Sequence, residues 1–295
     1  MNSVRSLYDT LSPDTRIRIR SLIPKRALRW YAHKNTDVYL ISYPKCGRTW
    51  LRLMIGRAIA NHFSLPETEE TLLLNWKTKI QPDIPKITLI HDDRPMLKSP
   101  DELEESKVRY KDKDVIFLVR DPRDVIVSSY FEMKKRGSMF GDNPYETRRP
   151  VFEGDLSGFI KHVNGGFDTI LKYYNIWADN RYIPKNFLLV RYEDIQSNPH
   201  QELRKIMNFL GLKAIQDVAI SEAVGFASFE NMQRMEAEGE FSTGILRPGD
   251  QSDKDSFKTR KGKVRGFVDY LNQNQIEFLN HKMDDQLSDY FDYNP

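Results

Sequence analysis

The sequence predicts an α/β fold with a central, mainly parallel sheet and helices on both faces. Apolar runs of strand length alternate along the chain with segments of helical periodicity, which is the pattern of parallel strands joined by crossover helices. The 295 residues are enough for one large domain with a substantial core. No internal repeat or low-complexity tract interrupts the alternation. We therefore predict a single domain over residues 1–295, with residues 1–36 as a basic segment that packs on it or precedes it.

The individual elements follow from the apolar runs and their boundaries. The predicted strands are Val38–Ser42, Ile87–His91, Val115–Val119 and Phe187–Val190. The predicted helices are Thr49–Ala60, Pro122–Lys135, Gly166–Arg181, Pro199–Leu210, Gln216–Glu236 and a segment near Gln273–Tyr290. Two long polar stretches remain, residues 136–158 and 239–266. Irregular segments of this length are usually functional or disordered, and we interpret both as lids because each adjoins a motif of phosphate-binding type.

Positive charge is concentrated in the first part of the chain. The whole chain has a formal net charge of +3, whereas residues 1–36 contain eight Lys and Arg against two Asp, a net +6. This segment is either a helix that packs on the domain or, less favoured, a peripheral contact with an anionic membrane. No nucleic-acid-binding motif, transmembrane run or signal-peptide pattern is present. The single cysteine, Cys46, excludes an intrachain disulfide and fits a cytoplasmic setting.

The segment Ser42–Trp50 indicates an anion-binding loop. It joins an apolar strand to the start of a helix, so its Gly-containing turn aims backbone N–H groups and the positive end of the helix dipole at one spot. Lys45 adds a full charge, Thr49 offers a hydroxyl in the first helical turn, and Trp50 offers a face on which a purine can stack. The turn lacks the spacing G-x-x-x-x-G-K-[ST], so it is not an ordinary NTP-binding loop.

A second candidate site lies between Phe117 and Tyr130. A strand ends at Arg120, and open α/β sheets bind ligands at the carboxyl ends of their strands. Ser128, in the helix that follows, can face the same anion, and an Arg–Ser pair is suited to a second phosphate. The alternative is a surface cluster of salt bridges.

A third candidate is the basic segment Arg260-Lys261-Gly262. Two cations followed by a glycine allow the backbone to wrap around a phosphate. A solvated basic loop has the same composition, so this segment indicates a phosphate site only in combination with the other two segments.

Together these three segments resemble the sulfotransferase family. Ser42–Trp50 is similar to the family's 5′-phosphosulfate loop, roughly Y-P-K-S-G-T-T-W. Phe117–Tyr130 is similar to its 3′-phosphate signature, R-(D/N)-x-x-D-x-x-V-S, and Arg260–Phe267 to its R-K-G-x-x-G element. The matches follow the family's order over roughly residues 36–285. The resemblance implies a P-loop-like nucleotide-binding fold, 3′-phosphoadenosine 5′-phosphosulfate (PAPS) as donor, adenosine 3′,5′-bisphosphate (PAP) as product, and no requirement for a metal.

The resemblance also implies a role for each matching residue. It assigns the 5′-phosphosulfate and adenine to Lys45, Cys46, Gly47, Arg48, Thr49 and Trp50. It assigns the 3′-phosphate to Arg120 and Ser128, with Arg260, Lys261 and Gly262 closing over it. Tyr192, Ser228 and Phe229 match family segments near the adenine. Cys46 and Arg48 replace the commoner Ser and Thr, and Ala227 replaces a nucleotide-binding threonine, so we expect donor affinity to differ.

His91 is the candidate base. It ends an apolar strand at the place where the family carries its catalytic histidine, and a neutral imidazole can accept a hydroxyl proton near neutral pH. The alternative is a histidine that is simply hydrogen-bonded at a strand end. Asp92 or Asp93 is expected either to orient the ring or to face the acceptor.

The predicted reaction is an in-line transfer of a sulfuryl group to a hydroxyl or amine of a small molecule, with His91 as base and Lys45 stabilising the leaving oxygen. Two other classes stay open. A kinase on a related fold is disfavoured because the Gly-rich Lys-Ser/Thr loop is missing, and a non-catalytic nucleotide-binding protein is disfavoured because Lys45 and His91 are both present. Carboxylates in the expected acceptor loops favour a polar, cationic, hydroxylated acceptor over a membrane-presented lipid; they are Asp92, Asp93, Glu236, Glu238 and Glu240. The alternative is that the three glutamates only form a solvated helix end.

Overall fold

Strand β1 (Val38–Ser42) is an inner strand of the sheet and is buried along its whole length. The computed structural model describes residues 24–76, 79–136 and 151–293. Since neighbouring residues of a strand point to opposite faces, five buried residues in a row mean that both faces of β1 are covered. This burial explains why the strand is a continuous apolar run and not an alternation of apolar and polar residues.

Within the described ranges, three further strands join β1 in the order β2-β1-β3-β4, and all pairs are parallel. They are β2 (Ile87–Ile90), β3 (Asp114–Val119) and β4 (Asn186–Arg191). The predicted mainly parallel sheet is therefore confirmed. Because the strands share one direction, their carboxyl ends lie at one edge of the sheet, where open α/β sheets bind ligands. The residues that follow these ends include Lys45, His91, Arg120 and Tyr192.

Helices occupy much of the chain between and after the strands. They are α1 (Lys25–Lys34), α2 (Arg48–His62), α3 (Glu69–Leu72), α4 (Pro122–Arg136), α5 (Leu156–Ile160), α6 (Phe167–Asp179), α7 (Tyr192–Ser197), α8 (Pro199–Phe209), α9 (Asp217–Phe226), α10 (Phe229–Glu238) and α11 (Gln273–Gln286). All but one of the predicted helices are present with shifted ends.

The predicted helix Gln216–Glu236 is wrong as a single element. The structure breaks it at Ala227 into α9 and α10. Ser228 leaves helical geometry, and its hydroxyl oxygen accepts a hydrogen bond from the N–H of Asn231 at 3.3 Å. A serine in this position caps the second helix and so ends the first.

The chain divides into two units, Met1–Thr36 and Asp37–Pro295. Within the first, the ammonium of Lys34 lies 5.2 Å from the centroid of the Trp30 ring. A single domain over residues 1–295 stays a prediction, as does the role of the basic segment. No helix in the described ranges is long and apolar enough to cross a membrane.

The two predicted lids differ in how much of them is described. Residues 137–150, most of the first, lie outside the described residues. The second, residues 239–266, contains short 3₁₀ turns at Gly244–Leu246 and Lys254–Ser256. Leu246 and Ser256 are buried, so parts of this segment pack into the protein.

Candidate active site

A cavity of about 760 Å³ brings together segments from the carboxyl edge of the sheet and the C-terminal part of the chain. Its wall contains every predicted site residue except Cys46. Those residues are Lys45, Gly47, Arg48, Thr49, Trp50, His91, Arg120, Ser128, Tyr192, Ser228, Phe229, Arg260, Lys261 and Gly262. The three sequence motifs and the candidate base therefore lie around one space.

The loop between β1 and α2 has the backbone geometry of an anion-binding turn. Lys45 and Gly47 have positive φ angles of 74° and 89°, a conformation in which successive N–H groups can converge on an anion. A Cβ on Gly47 would lie 2.6 Å from a ring carbon of Tyr192, so glycine is required where the tyrosine packs on the loop. The Lys45 ammonium lies 2.8 Å from Oε2 of Glu132 on α4. The loop thus presents a cation that is already paired with a carboxylate.

Cys46 packs into the core and not into the cavity. Its Sγ lies 3.3 Å from the hydroxyl of Tyr174, and the side chain is fully buried. Burial raises the pKa of the thiol to about 12, so the group stays protonated near neutral pH. A contact between Cys46 and the donor is thereby limited to its backbone.

His91 is held between Arg48 and the backbone of Ser42. Nη2 of Arg48 lies 2.8 Å from Nε2 of the imidazole, and Nδ1 lies 3.0 Å from the carbonyl oxygen of Ser42. A guanidinium only donates and a carbonyl only accepts. The two contacts therefore select the neutral tautomer, with the proton on Nδ1 and the lone pair on Nε2. Both His91 and Arg48 line the cavity, so the basic nitrogen lies next to it.

The two aspartates that follow His91 do not orient its ring, and this part of the prediction is wrong. Both are engaged by other groups: Lys107, Arg109 and the Tyr110 hydroxyl surround Asp92, and Lys98 with the N–H of Glu104 holds Asp93. Asp92 is almost completely buried. A buried carboxylate is costly unless it is paired, and these cations and donors supply the pairing that lets both side chains point away from the ligand.

Arg120 joins the end of β3 to the C-terminal basic segment. Its Nη2 donates to the carbonyl of Lys263 at 2.9 Å and lies 3.3 Å from Oδ2 of Asp124. Asp124 in turn accepts hydrogen bonds from the N–H groups of Arg265 and Phe267 at 3.0 and 2.9 Å. Arg120 and Asp124 therefore fix a segment that follows more than a hundred residues later in the chain.

Aromatic rings also contact the basic segment that begins at Arg260. The guanidinium carbon of Arg260 lies 4.0 Å from the centroid of the Phe131 ring and 4.6 Å from that of Tyr270, within the range of cation–π attraction. Gly262 has a φ of 57°, and a Cβ there would lie 2.4 Å from the ring of Phe229. Glycine at this position lets the segment lie directly against that ring.

Trp50 and Tyr192 pack against each other, and Lys261 forms an ion pair. The ring centroids of Trp50 and Tyr192 lie 5.4 Å apart at 65°, and the guanidinium carbon of Arg120 lies 4.4 Å from the Tyr192 centroid. The Lys261 ammonium pairs with Asp269 at 2.9 Å. A stacked arginine loses less freedom when it binds a phosphate, because its orientation is already set.

The sequence prediction did not assign four charged residues of the cavity wall to the site: Asp124, Glu132, Lys258 and Lys263. Glu132 lies one helical turn after Ser128 on α4, so its spacing could have indicated that it faces the same way. Lys258 precedes Arg260 by two residues, and no motif distinguishes it from the solvated lysines of the same loop.

The acidic residues expected on the acceptor side also differ from the prediction. Glu236 is fully buried and accepts hydrogen bonds from the N–H groups of Lys258 and Thr259 at 2.6 and 2.9 Å. Glu238 and Glu240 both pair with Arg234 in exposed positions. The reason is the same as for Asp92, since a carboxylate next to backbone donors or a cation is stabilised there.

A parallel sheet whose strand ends carry a cationic loop, an arginine and a histidine around one cavity defines an α/β protein that binds an anionic, nucleotide-like ligand. Residues 35–291 match the family model described as sulfotransferase domain. The chain therefore belongs to the sulfotransferase family, and the predicted family and enzyme class are confirmed.

Named relatives agree with this assignment. Cytosolic sulfotransferase 12 of Arabidopsis thaliana is 26% identical over 276 residues, which cover 86% of this chain and 78% of the relative. Flavonol 3-sulfotransferase of Flaveria bidentis is 27% identical over 275 residues, covering 87% and 83%.

Solved structures share the fold. A mouse sulfotransferase complexed with PAP matches with a TM-score of 0.57 and 21% identity, over 85% of this chain and 84% of that one. Retinol dehydratase in complex with androsterone and inactive cofactor PAP matches with a TM-score of 0.55 and 19% identity, over 85% and 80%.

Proposed function

We propose that the protein transfers a sulfuryl group from PAPS to a hydroxyl, or an amine, of a small-molecule acceptor. The observation that carries this proposal is the convergence of Lys45, His91, Arg120 and Arg260 on one cavity. These residues come from segments far apart in the chain. Together they supply one base and three cations, which suits an acceptor beside a donor with several anionic groups.

The cavity fits a donor that is anionic at two places. Lys45 with the β1–α2 loop forms one cationic group, and Arg120 with Arg260 forms another. At Gly47 and Gly262 a Cβ would meet the rings of Tyr192 and Phe229, so these glycines let the two rings to which we assign the adenine lie directly against the anion-binding segments. We assign the 5′-phosphosulfate to Lys45, Thr49 and the backbone of residues 46–48, the adenine to Trp50, Tyr192, Ser228 and Phe229, and the 3′-phosphate to Arg120, Ser128, Arg260, Lys261 and Gly262.

His91 acts as the base in this proposal. When bound, the donor supplies the sulfuryl group, which passes to the acceptor atom by in-line displacement. The acceptor hydroxyl takes the place of Arg48 as hydrogen-bond partner of Nε2, and that nitrogen accepts the proton while Nδ1 keeps its bond to Ser42. Arg48 and Lys45 stay beside the cavity, where fixed cations stabilise the negative charge that grows on oxygen.

The acceptor in this proposal is a polar, hydroxylated small molecule. The names of a relative and of a solved structure mention a flavonol and androsterone, and we extend the class of small-molecule acceptors to this chain. The expected preference for a cationic acceptor loses its basis, since all five carboxylates are engaged within the protein: Asp92, Asp93, Glu236, Glu238 and Glu240. We therefore propose no requirement for charge on the acceptor.

We place the enzyme in the cytoplasm, as the cytosolic relative suggests.

Acceptor panels test the proposal. The purified protein is incubated with PAPS, in the presence of EDTA, with phenols, sugars, lipids and cationic natural products, and mass spectrometry searches for products that have gained one sulfuryl group. PAP should accumulate in step with the product. Turnover that requires ATP and Mg²⁺ would support the kinase alternative. Binding of PAP without turnover on any panel would support a non-catalytic nucleotide-binding protein.

A further inference from the structure

Lys258 is a basic residue of the cavity wall that the proposed reaction does not use. Its Nζ donates to the carbonyl of Ile245 at 2.7 Å. Four charged groups act on this amine: Lys45 and Arg48, in the β1–α2 loop and at the start of α2, and Glu132 and Arg136 on α4. Glu236 on α10 instead accepts from the backbone N–H of Lys258. The amine therefore lies at the end of the cavity that holds the β1–α2 loop.

The backbone of Lys258 is clamped to a buried carboxylate. Its N–H donates to Oε1 of Glu236 at 2.6 Å, and the N–H and hydroxyl of Thr259 donate to Oε2 at 2.9 and 2.6 Å. Nη1 of Arg136 lies 3.6 Å from the same carboxylate. Moving this segment would leave a fully buried charge without its partners, which is strongly unfavourable. The position of the lysine is thus set by the fold.

Positive charge outweighs negative charge around this amine. Glu132, a carboxylate of the cavity wall, is already shared between Lys45 at 2.8 Å and Arg136 at 3.3 Å. Burial lowers the pKa of Lys258 to about 7; Glu132 opposes this, and Lys45, Arg136 and Arg48 add to it. Above neutral pH the amine is therefore largely uncharged.

We propose that Lys258 is a further anion-binding residue of the donor site, and that it takes up a proton from solvent when a phosphate or sulfate group binds beside Lys45. This inference rests on the proposed function for the identity of the donor. The incoming anion offsets the neighbouring cations, so the neutral amine becomes an ammonium, and no other bond forms or breaks. Donor binding is thereby coupled to pH.

Calorimetry of PAP binding tests the coupling at pH 8.0, in buffers of different ionisation enthalpy. At that pH the phosphates of PAP have already lost their protons, since their second pKa is about 6. The wild-type protein should take up between about 0.5 and 1 proton per PAP, and its Kd should rise on the order of tenfold or more from pH 7 to pH 9.

Three variants test whether Lys258 is the group that takes up the proton. Lys258→Met should bind PAP more weakly and without proton uptake. Lys258→Arg should retain binding but lose both the uptake and the pH dependence, because a guanidinium stays charged throughout this range. The control is Lys254→Met, an exposed lysine on the same segment, which should behave as the wild type.

The outcomes separate this inference from the function on which it rests. Uptake that persists in Lys258→Met, or wild-type binding without any uptake, overturns the role of Lys258 and leaves the donor site in place. If the wild-type protein does not bind PAP at all, the proposed function fails, and the inference fails with it.

Discussion

The ammonium of Lys45 lies 2.8 Å from the carboxylate of Glu132, and this ion pair links the loop after β1 to the helix after β3. Both side chains are largely buried, with exposed fractions of 11% and 4%. The lysine is thus held in the cavity wall by a carboxylate of the protein itself. A bound anion has to compete with Glu132 for this ammonium, so the pair keeps the lysine in place without leaving its charge uncompensated.

Replacing Lys45 by alanine should lower kcat by on the order of 10²–10³-fold, because the site loses a preorganised cation where charge develops. The rate is measured with PAPS and the best acceptor from the panels, and circular dichroism checks the fold. Lys205→Ala is the control, since that ammonium is exposed and pairs with Glu202. A folded Lys45→Ala protein with wild-type kcat would refute the role given to Lys45.

His91→Ala should slow transfer by about 10²–10⁴-fold, the usual contribution of a positioned base, and should leave PAP binding nearly unchanged. Steady-state rates and calorimetry with PAP give the two quantities independently. His200→Ala serves as control, because His200 is in α8 and is not part of the cavity wall. If binding falls as much as the rate in His91→Ala, then His91 supports the donor site and is not the base.

Arg120→Ala and Arg260→Ala should each weaken PAP more than adenosine 5′-monophosphate. Both arginines are assigned to the 3′-phosphate, and a hydrogen bond to a charged group contributes about 1.5–3 kcal/mol. The expected loss for PAP is thus on the order of 10- to 100-fold in Kd. Calorimetry with both nucleotides measures the difference. Equal weakening of the two ligands would contradict the 3′-phosphate assignment.

Gly262→Ala should raise the Kd for PAP, whereas Gly239→Ala should not. Both glycines have a positive φ, 57° and 65°, so the backbone strain of an alanine is similar in the two variants. Only at residue 262 would the new Cβ meet a ring, that of Phe229 at 2.4 Å. Similar PAP affinity in both variants would show that the contact between residue 262 and Phe229 does not shape the site.

Asp92→Asn should destabilise the fold without changing the KM for the acceptor. Its carboxylate pairs with Lys107 and Arg109 in the interior, and breaking such a pair costs about 3–5 kcal/mol. Urea denaturation measures the loss, and Asp101→Asn, at an exposed position, is the control. A normal unfolding midpoint together with a raised acceptor KM would restore Asp92 to the acceptor site.

The sheet and the three motifs could be predicted because both are local in the sequence. A strand such as β1 is buried on both faces, and its apolar run is visible without any knowledge of its neighbours. The sequence does not indicate in this way whether the side chains of Asp92 and Glu236 point to the interior or to the acceptor. Their partners are chosen by tertiary packing, which brings the backbone of Thr259 to Glu236. Lys258 was not predicted as a cavity residue for the same reason, since only tertiary packing determines which lysine of a basic loop points inward.

Asp124 accepts hydrogen bonds from the N–H groups of Arg265 and Phe267, which follow it by 141 and 143 residues. This long connection has a consequence for biosynthesis. The ribosome completes strands β1 to β4 and the loop with Lys45 well before it makes the segment that Asp124 holds. A nascent chain that forms its sheet at this stage does so through strand hydrogen bonds and apolar packing, without stabilisation by bound nucleotide. Only after Phe267 leaves the exit tunnel can the site close, so a chain truncated before this point is expected to fold in part and to bind no PAP.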